Sequence, residues 1–375
     1  MPVLAACAFG VIAAVLHVAS IAAVMHRIRR PSIDPSEAET AKGISIIRPV
    51  CGLENFSEET LSSAFRLDYP NYEILFCVAQ PADPVLPLVR GLIELHPEVP
   101  ARLLIGNERV SVNPKLNNVV KGWLAASHPW IVMADSNVLM PSDYLRCLLA
   151  AWRADTGLVS SPAVGCSPAN IWAELECAFL NTYQVRWQCF ADSIGMGFAQ
   201  GKTMLFRRAL LERAGGIRAL ALEVAEDAAA TKLVRENDLR VRVVDRPFPQ
   251  PLGHRTAAEV WRRQLRWARL RRDTFRFYFV PEIAAGGIPP LAAGAIVAAS
   301  TDWPLASALI AFGAIWYGAE AALAYAAGWH LSWRSPFLWF LRDLLLPILW
   351  SASWLGNDFV WRGHPMRVLN RSSAV

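Results

Sequence analysis

Apolar residues are densest at the two ends of this chain. Residues 2–25 form a nearly unbroken apolar run that stops at the basic cluster 26–30 (HRIRR). A helix needs about 20 such residues to cross the hydrocarbon core of a bilayer. The charges follow the run instead of preceding it, which disfavours a signal peptide and places the chain after residue 30 in the cytoplasm. The pattern predicts an N-terminal transmembrane anchor over residues 1–30.

The middle of the chain alternates short apolar runs with stretches of helical spacing. The predicted strands are 44–47, 72–78, 102–105 and 130–134, and the predicted helices are 58–66, 84–95 and 116–126. Strands that alternate with helices indicate an α/β fold with a parallel sheet. In such sheets, ligands bind beyond the carboxyl ends of the strands. We therefore predict a polar linker over 31–42 and an α/β domain over 43–260.

The chain becomes apolar again after Pro281. Runs at 283–300, 304–327 and 336–355 each approach or reach the length of a membrane span. We predict a C-terminal transmembrane region over 281–360, giving four membrane segments with the anchor, and a basic tail over 361–375.

Two features weaken parts of that prediction. Gly286-Gly287 and Pro289-Pro290 interrupt the first run as a regular helix. Arg342 and Asp343 lie inside the third run, where unpaired charges are costly. Either these charges pair within the protein, or the third run lies partly in the membrane interface.

The composition fits a soluble domain joined to membrane-spanning segments. Hydrophobic residues make up 54% of the 375 residues, too many for an ordinary soluble domain and too few for a protein made only of spans. The net charge of +5 does not indicate a general nucleic-acid-binding surface. The seven cysteines have no zinc-ligand spacing, and we interpret them as reduced thiols of a protein facing the cytosol.

Positive charge is concentrated just before the C-terminal apolar region. Residues 261–278 contain seven arginines and five aromatic residues. A nucleic-acid-binding patch is one interpretation of such a stretch. The adjacent apolar runs favour an amphipathic segment over 261–280 that lies on an anionic membrane surface instead.

Acidic residues occur at the ends of predicted strands or just before a predicted helix. Asp83 follows the second strand, Asp135 ends the fourth, and Glu226-Asp227 precedes a helical stretch. Arg263-Gln264-Leu265-Arg266-Trp267 comes after them. A single acid at such a position is usually a helix cap or turn residue. Four such elements in this order are harder to explain by local structure alone.

These elements and several others resemble the ceramide glucosyltransferase family, from about residue 44 to the C-terminus. The matching segments are Arg48-Pro49 with Cys51-Gly52, 67–73 (LDYPNYE), 113–118 (NPKLNN), Gly215-Gly216, 225–227 (AED) and 263–267 (RQLRW). The resemblance implies a GT-A catalytic domain, which is Rossmann-like and binds nucleotide-diphospho-sugars, between N-terminal and C-terminal transmembrane helices. It implies an inverting glycosyltransferase that moves glucose from UDP-glucose to the primary hydroxyl of ceramide. It also implies a divalent metal, Mg²⁺ or Mn²⁺.

The family pattern assigns roles to the acidic residues. Asp227, with Glu226 beside it, corresponds to the catalytic base, and Asp83 to the nucleoside contact. Asp135 corresponds to the metal ligand and also binds the donor. A departing diphosphate needs cations to stabilise its charge, and the acceptor hydroxyl needs a base. The metal motif is Asp135-Ser136-Asn137, without a second acid, so the resemblance implies weak metal binding or metal binding that needs the donor phosphates.

The pattern also assigns basic and amide residues to the donor. Arg263, Arg266 and Trp267 are expected near the diphosphate. Asn113 and Lys115 are expected in a loop that contacts the nucleotide, although Asn before Pro also commonly begins a helix. Gly201-Lys202-Thr203 superficially resembles the end of a phosphate-binding loop. The upstream glycine of that motif lies at the wrong spacing, so we reject it.

Other substrates and one other class of protein stay open. UDP-galactose, UDP-glucuronate or UDP-N-acetylglucosamine as donor, or a hopanoid or diacylglycerol as acceptor, would leave similar motifs. A non-catalytic nucleotide-binding membrane protein would bind UDP without consuming a UDP-sugar. We expect an integral protein of a bacterial inner membrane, with its catalytic domain in the cytoplasm.

Overall fold

A computed structural model describes residues 1–30, 42–301, 303–361 and 364–367. The predicted linker, 31–42, lies outside the described residues except for its last one. Most of the predicted tail, 361–375, also lies outside them. Both boundaries stay predictions.

A mixed sheet lies at the centre of the catalytic domain. The strands are β1 Ile44–Val50, β2 Tyr72–Val78, β3 Ala101–Ile105, β4 Trp130–Ala134, β5 Thr156–Ser161, β6 Val164–Pro168, β7 Thr203–Arg207, β8 Arg240–Val243, β9 Pro249–Gly253, β10 Asp358–Trp361 and β11 His364–Arg367. Over the described residues, seven strands form the main sheet in the order β3-β2-β1-β4-β7-β5-β8. Two smaller two-stranded sheets pair β6 with β9 and β10 with β11.

Helices cover both faces of the main sheet and continue into an apolar region. The α-helices are α1 Pro2–Ile28, α2 Ser57–Ser62, α3 Leu86–Leu95, α4 Pro114–Ala125, α5 Tyr144–Ala150, α6 Ile171–Phe179, α7 Arg186–Ser193, α8 Arg208–Arg213, α9 Glu226–Glu236, α10 Ala257–Thr274, α11 Arg276–Phe279, α12 Ile288–Ala299, α13 Leu305–Ala327 and α14 Ser335–Trp354. A π-helical stretch, Leu180–Val185, joins α6 to α7, and 3₁₀ turns cover Ser63–Phe65, Gly216–Leu222 and Val280–Ala284.

Alternation along the strands divides the core into two layers. Ile46 and Ile74 face a cluster that includes α2, α3 and α5. Ile47 and Leu75 face the opposite cluster, which includes α4, α8 and α9. Successive strand residues point to opposite faces, so a continuous apolar run identifies a strand buried on both sides. Burial on both faces explains why the observed bounds of β2 and β4 match the predicted ones.

The first four strands are mutually parallel, as the sequence predicts. β1 pairs in parallel with β2 and with β4, and β2 pairs in parallel with β3. Beyond β4 the sheet is mixed. There β7 is inserted antiparallel between β4 and β5, which puts strands that are distant in sequence side by side.

Two described helices, α1 and α13, are long and apolar enough to cross a membrane. A third span results if the bent pair Arg276–Ala284 and Ile288–Ala299, with 43° between its halves, is counted as one. α14 has the length of a span but carries Arg342 and Asp343. Four membrane segments stay a prediction.

The two charges in α14 pair inside the protein. Arg342 donates to both carboxylate oxygens of Glu320 in α13, at 2.9 and 2.8 Å, and to Asp343 at 2.9 Å. All three side chains are completely buried. Of the two alternatives drawn from the sequence, internal pairing is the one observed.

The membrane anchor is fixed to the catalytic domain by its last turn. Arg27, which is 6% exposed, donates to Asp192 at 2.7 Å and to the carbonyl of Val243 in β8. Ile21 and Val24 of α1 belong to one buried cluster that also contains residues of α6, α7, α13 and α14. The predicted catalytic domain, 43–260, therefore packs directly against the apolar helices through α6 and α7.

Candidate active site

A cavity of about 1450 Å³ brings together most of the predicted site residues. Its lining includes Lys115, Asp135, Glu226, Asp227, Arg263, Arg266 and Trp267. Asp135 directly follows β4, and Glu226 and Asp227 open α9. The cavity thus lies beyond the carboxyl ends of parallel strands, where an open α/β sheet binds its ligands.

Asn113 caps α4 and connects it to the acidic residues. Its side-chain oxygen accepts from the backbone N–H groups of Lys115 and Leu116, as an N-cap residue does. Its amide nitrogen donates to Glu226 at 2.7 Å and to the carbonyl of Val224 at 3.1 Å. Asn113 is fully buried, so the structure gives it a positioning role. Direct contact with the nucleotide stays a prediction.

Two lysines hold the Asp135 carboxylate. Lys115 Nζ lies 2.6 Å from Oδ1, and Lys202 Nζ lies 3.1 Å from Oδ2. Lys115 also reaches Glu226, at 2.7 Å. Burial opposes ionisation of Asp135, but the two ammonium groups outweigh it and lower its pKa to about 2. The carboxylate is therefore charged at any physiological pH.

Arg48 fixes the loop that carries Asp135. Its guanidinium is completely buried and donates to the carbonyls of Asp135, Ser136 and Val138 at 3.0 to 3.1 Å. It also donates to the carbonyl of Thr60 at 2.8 Å. Burial lowers the pKa of Arg48 to about 10, which leaves it charged at neutral pH.

Asp227 is the group best suited to accept a proton. Burial and the neighbouring Glu226 carboxylate raise its pKa to about 6, although Lys115 acts in the opposite direction. Its two oxygens accept from the backbone N–H groups of Gly201 and Ala228, each at 2.8 Å. A carboxylate with a pKa near the working pH is an efficient general base.

The Arg-Gln-Leu-Arg-Trp segment lies in α10, and each of its key side chains has a defined neighbour. Arg263 pairs with Glu176, a completely buried acid that also accepts from Arg255 at 3.1 Å. Trp267 packs against the small buried cluster around Cys177 and Leu252. The Arg266 guanidinium lies over the ring of Trp361, 5.5 Å from its centre.

Asp83 is placed differently from the other predicted residues. Both of its oxygens accept from the backbone N–H of Gly52, at 3.0 and 3.1 Å, and Oδ1 accepts from Val85 N–H. Asp83 does not line the cavity formed by the described residues, although Leu53 and Glu54 do. Its observed role is to fix the loop after β1, and a nucleoside contact stays a prediction.

The same cavity has an apolar wall made by the membrane anchor. Phe9, Ile12 and Leu16 of α1 line it together with Phe190 and Ile194 at the end of α7. Ile12 is also 59% exposed on a helix of membrane-spanning length. One continuous space thus touches both the acidic site and a surface suited to lipid.

Comparison with known proteins agrees with these features. The sequence pattern of "Glycosyl transferase family 21" matches residues 9–374. This chain belongs to that family. The ceramide glucosyltransferase resemblance drawn from the sequence and the GT-A-type fold are confirmed.

Two relatives of this family 21 member carry ceramide glucosyltransferase names. Ceramide glucosyltransferase 1 of Caenorhabditis elegans is 26% identical over 259 residues, which is 68% of this chain and 56% of the relative. Ceramide glucosyltransferase of Komagataella phaffii is 38% identical over 108 residues, 28% of this chain and 21% of the relative. The aligned part thus spans about half the length of the Caenorhabditis elegans relative and about a fifth of the Komagataella phaffii relative.

A solved structure shares the fold of this family 21 protein. The mannosyltransferase PcManGT from Pyrobaculum calidifontis, in complex with GDP-Man and Mn²⁺, aligns with a TM-score of 0.50 and 18% identity. The alignment covers 90% of this chain and 98% of the neighbour. At this identity the likeness establishes the fold.

The donor atoms around Asp135 do not suit a divalent cation as they are arranged here. No group of three or more His, Cys, Asp and Glu side chains in the described ranges is placed to hold a metal ion. Both Asp135 oxygens face lysine ammonium groups, and the Asn137 Oδ1 atom accepts from Lys202 at 3.0 Å. A divalent cation needs such oxygens unoccupied by other cations.

Sequence reasoning did not anticipate several residues of the site. Lys202 occurs in the sequence only within the rejected phosphate-loop motif, and it directly precedes strand β7, where that motif would precede a helix. Glu176 lies 87 positions from Arg263 and carries no motif. Trp361 reaches Arg266 from β10, near the C-terminus. The local signal for Glu176 is weak: it is one of two glutamates, with Glu174, in the otherwise apolar stretch 171–179.

Helix α10 also uses its arginines differently from a membrane-surface helix. Arg271 pairs with Glu282 at 2.8 Å, and Arg272 and Arg269 donate to backbone carbonyls near α14 and β10. Phe277 of α11 is 84% exposed. The side chains of Arg269, Arg271 and Arg272 thus contact other parts of the protein, and contact with an anionic surface stays a prediction.

Proposed function

We propose that this protein transfers glucose from UDP-glucose to the primary hydroxyl of ceramide, with inversion at the anomeric carbon. The observation that carries the proposal is the single cavity walled by both Asp227 and the membrane anchor. A base with a pKa near 6 lies in the same space as an apolar helix face. A soluble acceptor would not need such a wall, whereas a lipid acceptor has chains to place against it.

The positions of the charged groups support a single displacement at the anomeric carbon. The acceptor oxygen forms a bond with the anomeric carbon while the bond from that carbon to the diphosphate oxygen breaks. Asp227 takes the proton of the attacking hydroxyl, and UDP leaves with the bonding electron pair. Lys115, Arg263 and Arg266 supply positive charge near the departing diphosphate.

The names of the relatives support ceramide as acceptor, and the Mn²⁺ in the solved neighbour supports the expectation of a divalent cation. The lysines at Asp135 argue against a cation there, so no step of the proposed reaction is routed through one. The apolar helices support location in a membrane. The cytoplasmic side of a bacterial inner membrane stays our sequence-based prediction.

The test uses the full chain in nanodiscs, ceramide and a panel of labelled UDP-sugars. Glucosylceramide made from UDP-glucose, and lost in Asp227→Asn, supports the proposal. Product from UDP-galactose, UDP-glucuronate or UDP-N-acetylglucosamine, or on a hopanoid or diacylglycerol, changes the substrate and keeps the reaction. UDP binding without turnover of any UDP-sugar contradicts the proposal and indicates a non-catalytic nucleotide-binding protein.

A further inference from the structure

Lys202 lies where the Asp-Ser-Asn triplet would otherwise offer oxygens to a cation. Its Nζ is 3.1 Å from Asp135 Oδ2 and 3.0 Å from Asn137 Oδ1. The side chain is 16% exposed and lines the cavity. One ammonium group thus bridges the first and third side chains of the triplet.

The surroundings keep this lysine in place. Lys115 takes the other oxygen of Asp135, and Glu54 accepts from the amide of Asn137 at 3.2 Å. Lys202 is the residue before β7, whose first residue, Thr203, pairs with Ala134 at the end of β4. The backbone N–H of Asp135 also donates to the carbonyl of Lys202, at 3.0 Å. Strand pairing therefore holds the backbone of Lys202 beside the triplet.

An ammonium group has three N–H donors. In the contacts that the structure describes, Lys202 uses one on Asp135 and one on Asn137, which leaves one for an acceptor in the cavity. A divalent cation at the same oxygens would stand next to two lysine charges and be repelled by both. The geometry therefore favours the ammonium group of Lys202 at this position over a metal ion from solution.

We propose that the Lys202 ammonium takes the place of a divalent cation at the Asp135–Asn137 pair and binds the diphosphate of the nucleotide-sugar donor. This inference rests on the proposed function, since it assumes a diphosphate donor. Positive charge at this point is then permanent and needs no metal from solution. Replacing Lys202 by a neutral residue frees Asp135 Oδ2 and Asn137 Oδ1 and removes one of the two repelling charges, so the pair should then accept a divalent cation.

Metal binding tests this directly, with Mn²⁺ alone as the probe. Electron paramagnetic resonance of the full chain should show no Mn²⁺ site in the wild type, a site in Lys202→Met, and loss of that site in Lys202→Met/Asp135→Asn. Lys121→Met is the matched control, because Lys121 donates to Gly106 and Asn118 away from the cavity. A wild-type site that Asp135→Asn removes would overturn the proposal.

Transfer assays give a second readout. Wild-type transfer should persist in excess EDTA, and Lys202→Met should lose at least about 100-fold in EDTA and recover part of that with Mn²⁺. Lys202→Arg should retain metal-independent transfer. If EDTA abolishes wild-type transfer and Mn²⁺ restores it, the proposal is wrong.

The two proposals fail in different ways. If the wild type transfers no sugar under any metal condition, the proposed function fails, while the Mn²⁺ measurements still test Lys202. If Lys202→Met does not fold, the wild-type responses to Mn²⁺ and EDTA decide the question alone.

Discussion

The backbone N–H of Gly201 donates a 2.8 Å hydrogen bond to Asp227 Oδ2. The carbonyl of the same glycine accepts from Lys115. One residue without a side chain therefore separates Asp227 from the lysine that is bonded to Asp135.

Gly201→Ala should lower the rate of transfer by about 10- to 100-fold while leaving the fold intact. A Cβ atom here would lie 2.7 Å from Glu226 Oε1 and 3.0 Å from Lys115 Nζ, so the charged groups must move. Steady-state kinetics and thermal unfolding check this. Gly91→Ala is the control, since nothing lies within 4 Å of its added carbon. An unchanged rate in Gly201→Ala would mean that the spacing does not matter.

The rate should depend on pH through Asp227. Its pKa of about 6 means that the carboxyl is protonated, and unable to accept a proton, at lower pH. The rate should therefore rise with pH through about 6 and level off above it. Asp227→Asn should lower the rate by about 10²- to 10⁴-fold.

The midpoint of that profile should respond to Lys115. Lys115→Met removes the positive charge that lowers the pKa of Asp227, so the midpoint should move to higher pH, besides any loss of rate. A pH–rate profile of each variant measures this. A midpoint that stays in place, or moves to lower pH, would exclude Asp227 as the titrating base.

Glu176→Gln should destabilise the protein and weaken donor binding. The change leaves the guanidinium groups of Arg255 and Arg263 without their buried counter-charge, which costs about 3–5 kcal/mol of unfolding free energy. We expect a lower Tm and a higher KM for the donor. Glu212→Gln is the control, because its pair with Arg208 is at the surface and is worth about 0–1 kcal/mol. Equal Tm values for the two variants would contradict the prediction.

Arg342→Met and Glu320→Leu should each destabilise the protein, and the double variant should lose less stability than the sum of the two single losses. Arg342→Met leaves both Glu320 and Asp343 buried without their cation, and adding Glu320→Leu removes one of these two unpaired charges. Thermal unfolding in detergent gives the coupling between the two residues. Additive losses would show that the pair does not act as a unit.

The sequence predicts the parts of the fold that depend on local patterns. β2 and β4 are continuous apolar runs, and their bounds match because burial on both faces leaves few polar positions. The position of β7 could not be predicted in this way. It pairs with β4 and β5 through contacts across tens of residues, which no periodicity records.

The candidate site also divides into residues that local patterns reveal and residues that depend on long-range contacts. Asp135 and Asp227 follow from strand ends and family motifs, and the structure brings them into one cavity. Lys202 and Glu176 could not be found, because their importance lies in partners distant in sequence. Asp83 shows the opposite case. Its position in the motif suggests a ligand contact, while its observed hydrogen bonds go to the backbone of Gly52 and Val85.

Ile12 of α1 and Asp227 of the catalytic domain line one space, so the proposed function implies that an acceptor lipid reaches Asp227 by lateral diffusion within the bilayer. The concentration that governs its encounter with the enzyme is then a mole fraction of the membrane, and not a molarity in the assay volume. Diluting the acceptor with inert phospholipid at constant total acceptor should slow the reaction. Doubling the assay volume around the same vesicles, with the donor held saturating, should leave the rate per vesicle unchanged.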